Sequence, residues 1–351
     1  MFEHKLFEVK INEHGGGGVV MSDRTIAIEE ACLPAELWDV WERENREGFP
    51  EIWRQTLPDF DGVRLAEMDR YGIELAILSL TVPGPQFVAD VDLAEEMARD
   101  GNNALAAAVA RRPDRYAAFA TLSMHDVDSA CAEFERAVRE LGMCGVLLNN
   151  FQVAGADRKQ AVYYDDRRFD PFWDLAQQLE APVYLHPGRT MRMPDFEAAV
   201  WLDDAAWGFA IHTGFHALRI ITSGVFDRFP GAQLVLGHNG EHIVYDIWRI
   251  DNRIAHRARG CPMKKTVRQY FRANVHVTTS GQFSDPGLRH AISEIGADRI
   301  MFAIDYPYED NEAGASWFAS TPITDEERAA IGRDNAIELF KLGGRLQPAL
   351  S

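Results

Sequence analysis

Eight short apolar runs, each followed by a stretch with helical periodicity, constrain the fold of this chain more than anything else in it. The runs cover 26–30, 74–80, 116–122, 144–149, 181–186, 233–238, 275–280 and 300–305. They are nearly continuous in Ile, Val, Leu and Ala rather than alternating, as in strands buried on both faces. Between them, 92–112 carries Leu93, Met97, Leu105, Ala108 and Val109 at helical spacing. Likewise 126–141 carries Ala130, Phe134, Val138 and Leu141 behind Asp126 as an N-cap, and 169–179, 285–295 and 325–340 read alike. Strand–helix alternation predicts a parallel sheet covered by helices, and eight such units predict a single closed (β/α)8 TIM-type barrel rather than an open sheet.

A length of 351 residues allows two or three domains. No linker interrupts 25–345, so that span is assigned to one barrel domain. Residues 1–24 read as a short N-terminal appendage, because His14 is followed by four glycines, a flexible-linker pattern. Within it, Leu6 to Ile11 alternates enough for a short edge strand or hairpin arm. Two connecting segments are long for a compact domain. Residues 31–61 contain Trp38, Trp41, Phe49, Trp53 and Phe60, and 188–207 contain Met191, Met193, Phe196 and Trp201. Each reads either as a functional loop or as extra helix on the barrel rim.

Charge narrows the partners. With 36 basic and 54 acidic side chains the net charge is −18, and no run of Lys or Arg offsets it, which disfavours a phosphate backbone as ligand. No apolar run reaches membrane-spanning length, and the N-terminal stretch, with Glu3, Glu8 and Glu13, lacks the apolar core of a signal peptide. The four cysteines, Cys32, Cys131, Cys144 and Cys261, show no CxxC spacing and suit a reducing, cytoplasmic chain. A soluble, acidic, enzyme-sized protein is the expectation that remains.

In a barrel, functional side chains come from the C-terminal ends of the strands and the loops after them. The first run ends Ile28-Glu29-Glu30, the fifth Tyr184-Leu185-His186-Pro187, the sixth Leu236-Gly237-His238-Asn239-Gly240-Glu241, and the eighth Ile304-Asp305-Tyr306-Pro307. Ionisable groups from four strands thus meet at one rim, where each would cost several kcal/mol if buried without partners. A histidine after an apolar strand is by itself most often a structural residue, and Asp305 alone could be a cap. Four together point to a shared polar site. Glu, His and Asp suit one divalent cation with open positions for water or substrate. Metal-free acid–base chemistry by a His238, Glu241 and Asp305 triad is the other reading of the same residues.

These motifs, in this order, resemble the amidohydrolase superfamily, and within it the branch of non-oxidative aromatic acid decarboxylases. The resemblance runs from about Ile26 to Leu342. Besides the strand ends, it rests on Pro83-Gly84-Pro85-Gln86, Arg112-Pro113-Asp114-Arg115-Tyr116, Gly224-Val225-Phe226-Asp227-Arg228-Phe229-Pro230, Thr278-Thr279-Ser280-Gly281 and Ile331-Gly332-Arg333-Asp334-Asn335-Ala336. It implies Glu29, His186 and Asp305 as ligands of one divalent metal ion (zinc, or manganese or magnesium), with His238 beside them. Where many superfamily members carry a second ligand on the first strand, this chain has Ala31, as the salicylate and 2,3-dihydroxybenzoate decarboxylases do. Two departures remain: Gly188-Arg189-Thr190 stands where several relatives have Arg-Asn-Pro, and His212 is an unexpected histidine.

The resemblance implies decarboxylation of an ortho-hydroxybenzoate, whose carboxylate and ortho oxygen would chelate the metal while the ring carbon is protonated. Asp305 is the first choice of proton donor. His238, held by Glu241, is the alternative donor or the base for the substrate hydroxyl. Asn149 is expected to hydrogen-bond a phenol oxygen, with Trp38, Tyr306 and Pro307 as ring walls. A small aromatic partner and a homodimer or homotetramer are implied likewise. One-metal hydrolysis or cyclisation of an aromatic substrate stays open beside this reading, and a non-enzymatic binding barrel is disfavoured by the intact strand-end groups.

Overall fold

The computed structural model describes residues 24–45, 49–155, 160–188 and 199–346. The expected strand at Leu6 to Ile11, the glycine run after His14, and Arg189, Thr190, Met191, Met193 and Phe196 lie outside the described residues.

All eight expected strands form: β1 (Thr25–Cys32), β2 (Ile73–Leu80), β3 (Tyr116–Ala118), β4 (Val146–Asn149), β7 (Val183–His186), β8 (Leu234–Leu236), β9 (Val275–Thr278) and β10 (Ile300–Met301). A hairpin, β5 (Gln152–Ala154) with β6 (Gln160–Val162), is inserted after β4 and is the sole antiparallel pair among the described strands. The parallel ladder runs β1-β2-β3 and, separately, β10-β9-β8-β7-β4. Backbone hydrogen bonds bridge both gaps. Ala120 N–H donates to Gly145 O (2.9 Å) and Leu147 N–H to Ala120 O (2.8 Å), while Ile28 N–H donates to Phe302 O (3.3 Å). The ring is therefore complete, as the alternation predicts.

Several strands are shorter than the apolar runs that announced them, because their C-terminal residues leave the ladder to build the rim. Below that rim the barrel is filled. Ile26, Ile28, Leu75, Ile77, Phe119, Leu147, Tyr184, Val235 and Met301 form the inner cluster, and Phe340 seals its base against Phe119 at 5.2 Å. Burial of each such side chain contributes about 1.5–3 kcal/mol. Tyr184 packs on Phe119 at 5.7 Å, so its hydroxyl is held at a fixed height in the barrel, directly beneath the rim.

Side chains cap the covering helices, at Asp126 as expected and at two further positions. Asp90 accepts from Leu93 N–H at the start of Val91–Arg111, Asp126 from Ser129 N–H at the start of Val127–Arg139, and Ser284 from Gly287 N–H before Asp285–Ile295. The long segment 31–61 contains rim helices, Trp38–Glu44 and Glu51–Thr56, anchored by the buried Trp41, whose indole N–H donates to Thr81 O at 3.0 Å.

Candidate metal centre

Glu29, His186 and Asp305 each present one donor atom, and these atoms lie within 4.8 Å of one another. Glu29 belongs to the inner face of β1. Its Oε2 accepts hydrogen bonds from the hydroxyls of Tyr184 and of Thr278, the latter at 2.9 Å. Its Oε1 is buried without a hydrogen-bond partner and faces two imidazoles, His186 Nε2 at 3.3 Å and His238 Nε2 at 3.6 Å. Burial pushes the carboxyl upward, but the His238 and His186 imidazoles overcome it and hold the group at about 2.

His186 ends β7, two residues after Tyr184, so both point into the barrel. Its Nδ1 donates to Pro187 O at 2.7 Å and lies 3.2 Å from Asn149 Oδ1. That bond places the ring proton on Nδ1 and aims Nε2 at Glu29, the usual arrangement of a metal-binding histidine. Burial lowers the His186 pKa, and the facing carboxylate of Glu29 more than reverses this, so the net shift is upward. An environment that favours a proton at Nε2 favours a cation there for the same reason.

His238 follows β8 in a turn in which His238, Asn239, Gly240, Glu241 and His242 all have φ between 49° and 84°. For residues with a Cβ this left-handed region costs roughly 1–2 kcal/mol each, so the surroundings must enforce it. They do so from β9: Ser280 Oγ accepts the His238 N–H at 3.1 Å and is itself tied to Thr278 Oγ1 at 2.8 Å. His238 Nδ1 donates to Glu241 Oε1 at 2.8 Å, and Nε2 lies 3.6 Å from Asp305 Oδ2. Burial opposes protonation of His238, but Glu241 and Glu29 prevail and raise its pKa well above the ordinary value. Asp305, also left-handed at φ 79°, has its pKa raised by burial and by Glu29 against the pull of His238. The centre thus holds two carboxylates and one imidazole as donors, with an orphaned buried oxygen among them. That set fits a divalent cation.

Glu30, next to Glu29 but on the opposite face of β1, is also buried. Its two oxygens accept the backbone N–H groups of Ile304 (3.2 Å) and Tyr306 (3.3 Å), a pattern satisfied by the ionised form. Burial pushes this carboxyl up to about 8, with the Ile304 N–H and the Arg64 guanidinium pulling the other way.

The remaining expected residues divide. Asn149, at the end of β4, is buried beside His186, finds no acceptor for its Nδ2, and receives support from Gln86, whose Oε1 takes the Asn149 N–H at 3.3 Å. Tyr306 and Pro307 follow Asp305 directly, but the Tyr306 ring lies under the Arg64 guanidinium at 4.7 Å. Trp38 sits on the rim helix, packed on Phe49 at 5.2 Å and donating to Glu42 Oε2 at 3.3 Å, and these contacts do not reach the four clustered residues. His212 is half-buried on the helix Gly208–Thr222, with its pKa lowered by burial. Sequence reasoning missed Tyr184, Thr278 and Ser280. The signal for them was period-two spacing, Tyr184 two residues before His186 and Thr278 two before Ser280.

The chain is similar to proteins of known activity. Residues 35–342 match the family described as Amidohydrolase. The gamma-resorcylate decarboxylase of Rhizobium radiobacter is 42% identical over 325 residues, covering 91% of this chain and 99% of that protein. The crystal structure of a 2,6-dihydroxybenzoate decarboxylase complexed with 2,6-dihydroxybenzoate matches with a TM-score of 0.85 and 40% identity, over 91% of this chain and 100% of the other. A dihydroxybenzoic acid decarboxylase from a Polaromonas species, with bound manganese and the inhibitor 2-nitroresorcinol, matches at TM-score 0.85 and 39% identity, over 93% and 100%.

Proposed function

The chain belongs to the amidohydrolase family, and on that premise we propose how its strand-end residues carry out the reaction. It is a metal-dependent, non-oxidative decarboxylase of an ortho-hydroxybenzoate, a carbon–carbon lyase using one divalent ion. The observation that carries the residue assignment is the unpartnered, buried Oε1 of Glu29 facing His186 Nε2, with Asp305 as third donor. Manganese is the proposed ion, in place of zinc as the first expectation, because a carboxylate-rich donor set accepts it and the Polaromonas decarboxylase holds it.

A divalent ion at this place supplies the positive charge that fixes the substrate's carboxylate and ortho oxygen, which an acidic chain would otherwise repel. Asp305 transfers its proton to the ring carbon that bears the carboxylate. The new C–H bond forms there, the C–C bond to the carboxylate breaks, its electron pair restores the aromatic ring, and CO2 leaves. The placement of Asp305 Oδ2 3.6 Å from His238 Nε2, through which it can be reprotonated, supports this donor role. His238, oriented by Glu241, aims Nε2 at Asp305 and returns the proton to it. Asn149 Nδ2 is free to bond a phenol oxygen.

Residues 25–345 act as one catalytic barrel and 1–24 as an appendage to it. The four cysteines are free, which supports a reducing, cytoplasmic setting, and no helix among the described residues is long and apolar enough to cross a membrane. A small aromatic acid is the partner that the relatives' substrates support, and the net charge of −18 disfavours nucleic acid. Exposed Val200, Trp201, Trp207, Phe215, Tyr245 and Trp248, which lie near one another in sequence, support a homodimer or homotetramer.

The test is direct. The purified chain, loaded with manganese and given 2,6-dihydroxybenzoate, should release CO2 and resorcinol in equal amounts, stop after chelation and recover on adding manganese back. No phenol with any divalent ion would contradict the reading.

A further inference from the structure

We propose that Glu30 is a positioning residue that holds Asp305 in its working conformation, so that the two adjacent glutamates of β1 serve the same centre from opposite faces. This rests on Asp305 being a metal ligand.

The register of β1 slips between Ala27 and Glu30, so Glu29 enters the barrel on the side of Ile26 and Ile28 while Glu30 turns toward the loop that follows β10. That loop needs support. β10 ends at Met301, and Asp305 beyond it has φ 79°, a conformation that a residue with a side chain does not adopt unaided. Glu30 supplies a constraint on each side of Asp305, at the Ala303–Ile304 and Asp305–Tyr306 peptides. Ile304 N–H donates to Oε1 at 3.2 Å and Tyr306 N–H to Oε2 at 3.3 Å, so one rigid carboxylate spans the residue between. Around it the same junction is stitched further. Ala31 N–H donates to Tyr306 O at 2.8 Å, Arg64 Nη2 donates to Ala31 O at 2.7 Å, and the Arg64 guanidinium covers the Tyr306 ring. With the peptide after Asp305 held by Glu30 and the peptide before it held at Ile304 O by Gly281 N–H (3.4 Å), the Asp305 carboxylate has little choice but to face His238 and Glu29. Outer-shell partners of this kind commonly affect metal affinity about 10–100-fold.

Glutamine in this position keeps the shape but presents an NH2 group to one of the two N–H donors. Aspartate keeps the charge but cannot reach both. Manganese titration of the metal-free chain by calorimetry, with melting temperatures alongside, should therefore show Glu30→Gln and Glu30→Asp binding ~10–100-fold more weakly than wild type, with kcat reduced and KM little changed. Ile28→Val, a buried change on the same strand, should lower the melting temperature while leaving manganese affinity intact. If both Glu30 variants bind within about threefold of wild type, or if Ile28→Val at equal melting temperature loses as much, the clamp is wrong. Should Glu30→Gln not fold, Glu30→Asp carries the comparison. Asp305→Asn in the same titration separates the two levels. Unchanged affinity there overturns the ligand assignment, whereas weakened affinity with normal Glu30 variants overturns the clamp alone.

Discussion

Oε1 of Glu29 lies 3.3 Å from Nε2 of His186 with no hydrogen-bond partner, while Oε2 of the same carboxylate takes hydroxyls from Tyr184 and Thr278. One oxygen is thus held and the other is left for a cation. A buried carboxylate oxygen without a partner costs at least about 1–3 kcal/mol, and a bound ion removes that cost. Saturating manganese should raise the melting temperature by roughly 4 °C, since a ligand at 100 times its Kd stabilises by about 2.7 kcal/mol. Differential scanning fluorimetry checks this, and Glu29→Gln should abolish the shift.

The hydroxyl clamp should matter to the ion. In Tyr184→Phe the Oε2 of Glu29 loses a donor, and manganese affinity is expected to fall ~10–100-fold. Gly237→Ala reaches the same carboxylate sterically. Its Cβ would stand 3.0 Å from Glu29 Oε1 and 3.2 Å from the Tyr184 hydroxyl. Gly343→Ala, where a Cβ meets nothing within 4 Å, is the control and should be silent. Equal manganese affinity in Gly237→Ala and Gly343→Ala would remove the steric argument.

Two histidines outside the centre should make the fold acid-sensitive. His216 and His276 are buried, and burial, reinforced by Arg219 and Arg299 respectively, lowers each to about 3 from an ordinary 6.5. Below 6.5 the unfolded chain takes up protons on both residues and the folded chain does not. Their contribution is therefore full above 6.5 and is lost as pH falls toward 3, with a slope of at most ~1.4 kcal/mol per pH unit for each. Urea unfolding between pH 7 and pH 5 should show stability declining, and His276→Gln should flatten the decline. An unchanged slope would show that His276 titrates normally in the fold.

Proton handling is assigned to Asp305 and His238, so Asp305→Asn and His238→Asn should each lower kcat by ~10²–10⁴. Steady-state assays with manganese held saturating separate this from weakened metal binding. Near wild-type turnover in either variant removes that residue from the proton path.

Much of this was legible in the sequence. The apolar runs marked the barrel strands because strands buried on both faces need no alternation, and barrel geometry then gathered Glu29, His186, His238 and Asp305 at one rim. Less legible were features set by tertiary contacts. The β5–β6 hairpin owes its place to Gln152, whose Oε1 accepts Met124 N–H and whose Nε2 donates to Gln86 O. The left-handed run from His238 to His242 contains only one glycine, so no residue type announced it; Ser280 holds it from the neighbouring strand. Tyr184 reads as core from its neighbours and is core by its ring, while its hydroxyl belongs to the site.

The most direct measurement is turnover of an ortho-hydroxybenzoate by the manganese-loaded chain in D2O, with the phenol examined by NMR and mass spectrometry. Proton delivery to the ring carbon that loses CO2 should leave one deuterium at that position for each CO2 released, and none of this product should form after chelation. A phenol without deuterium at that carbon, or the same yield from chelated enzyme, would contradict metal-dependent decarboxylation at Glu29, His186 and Asp305.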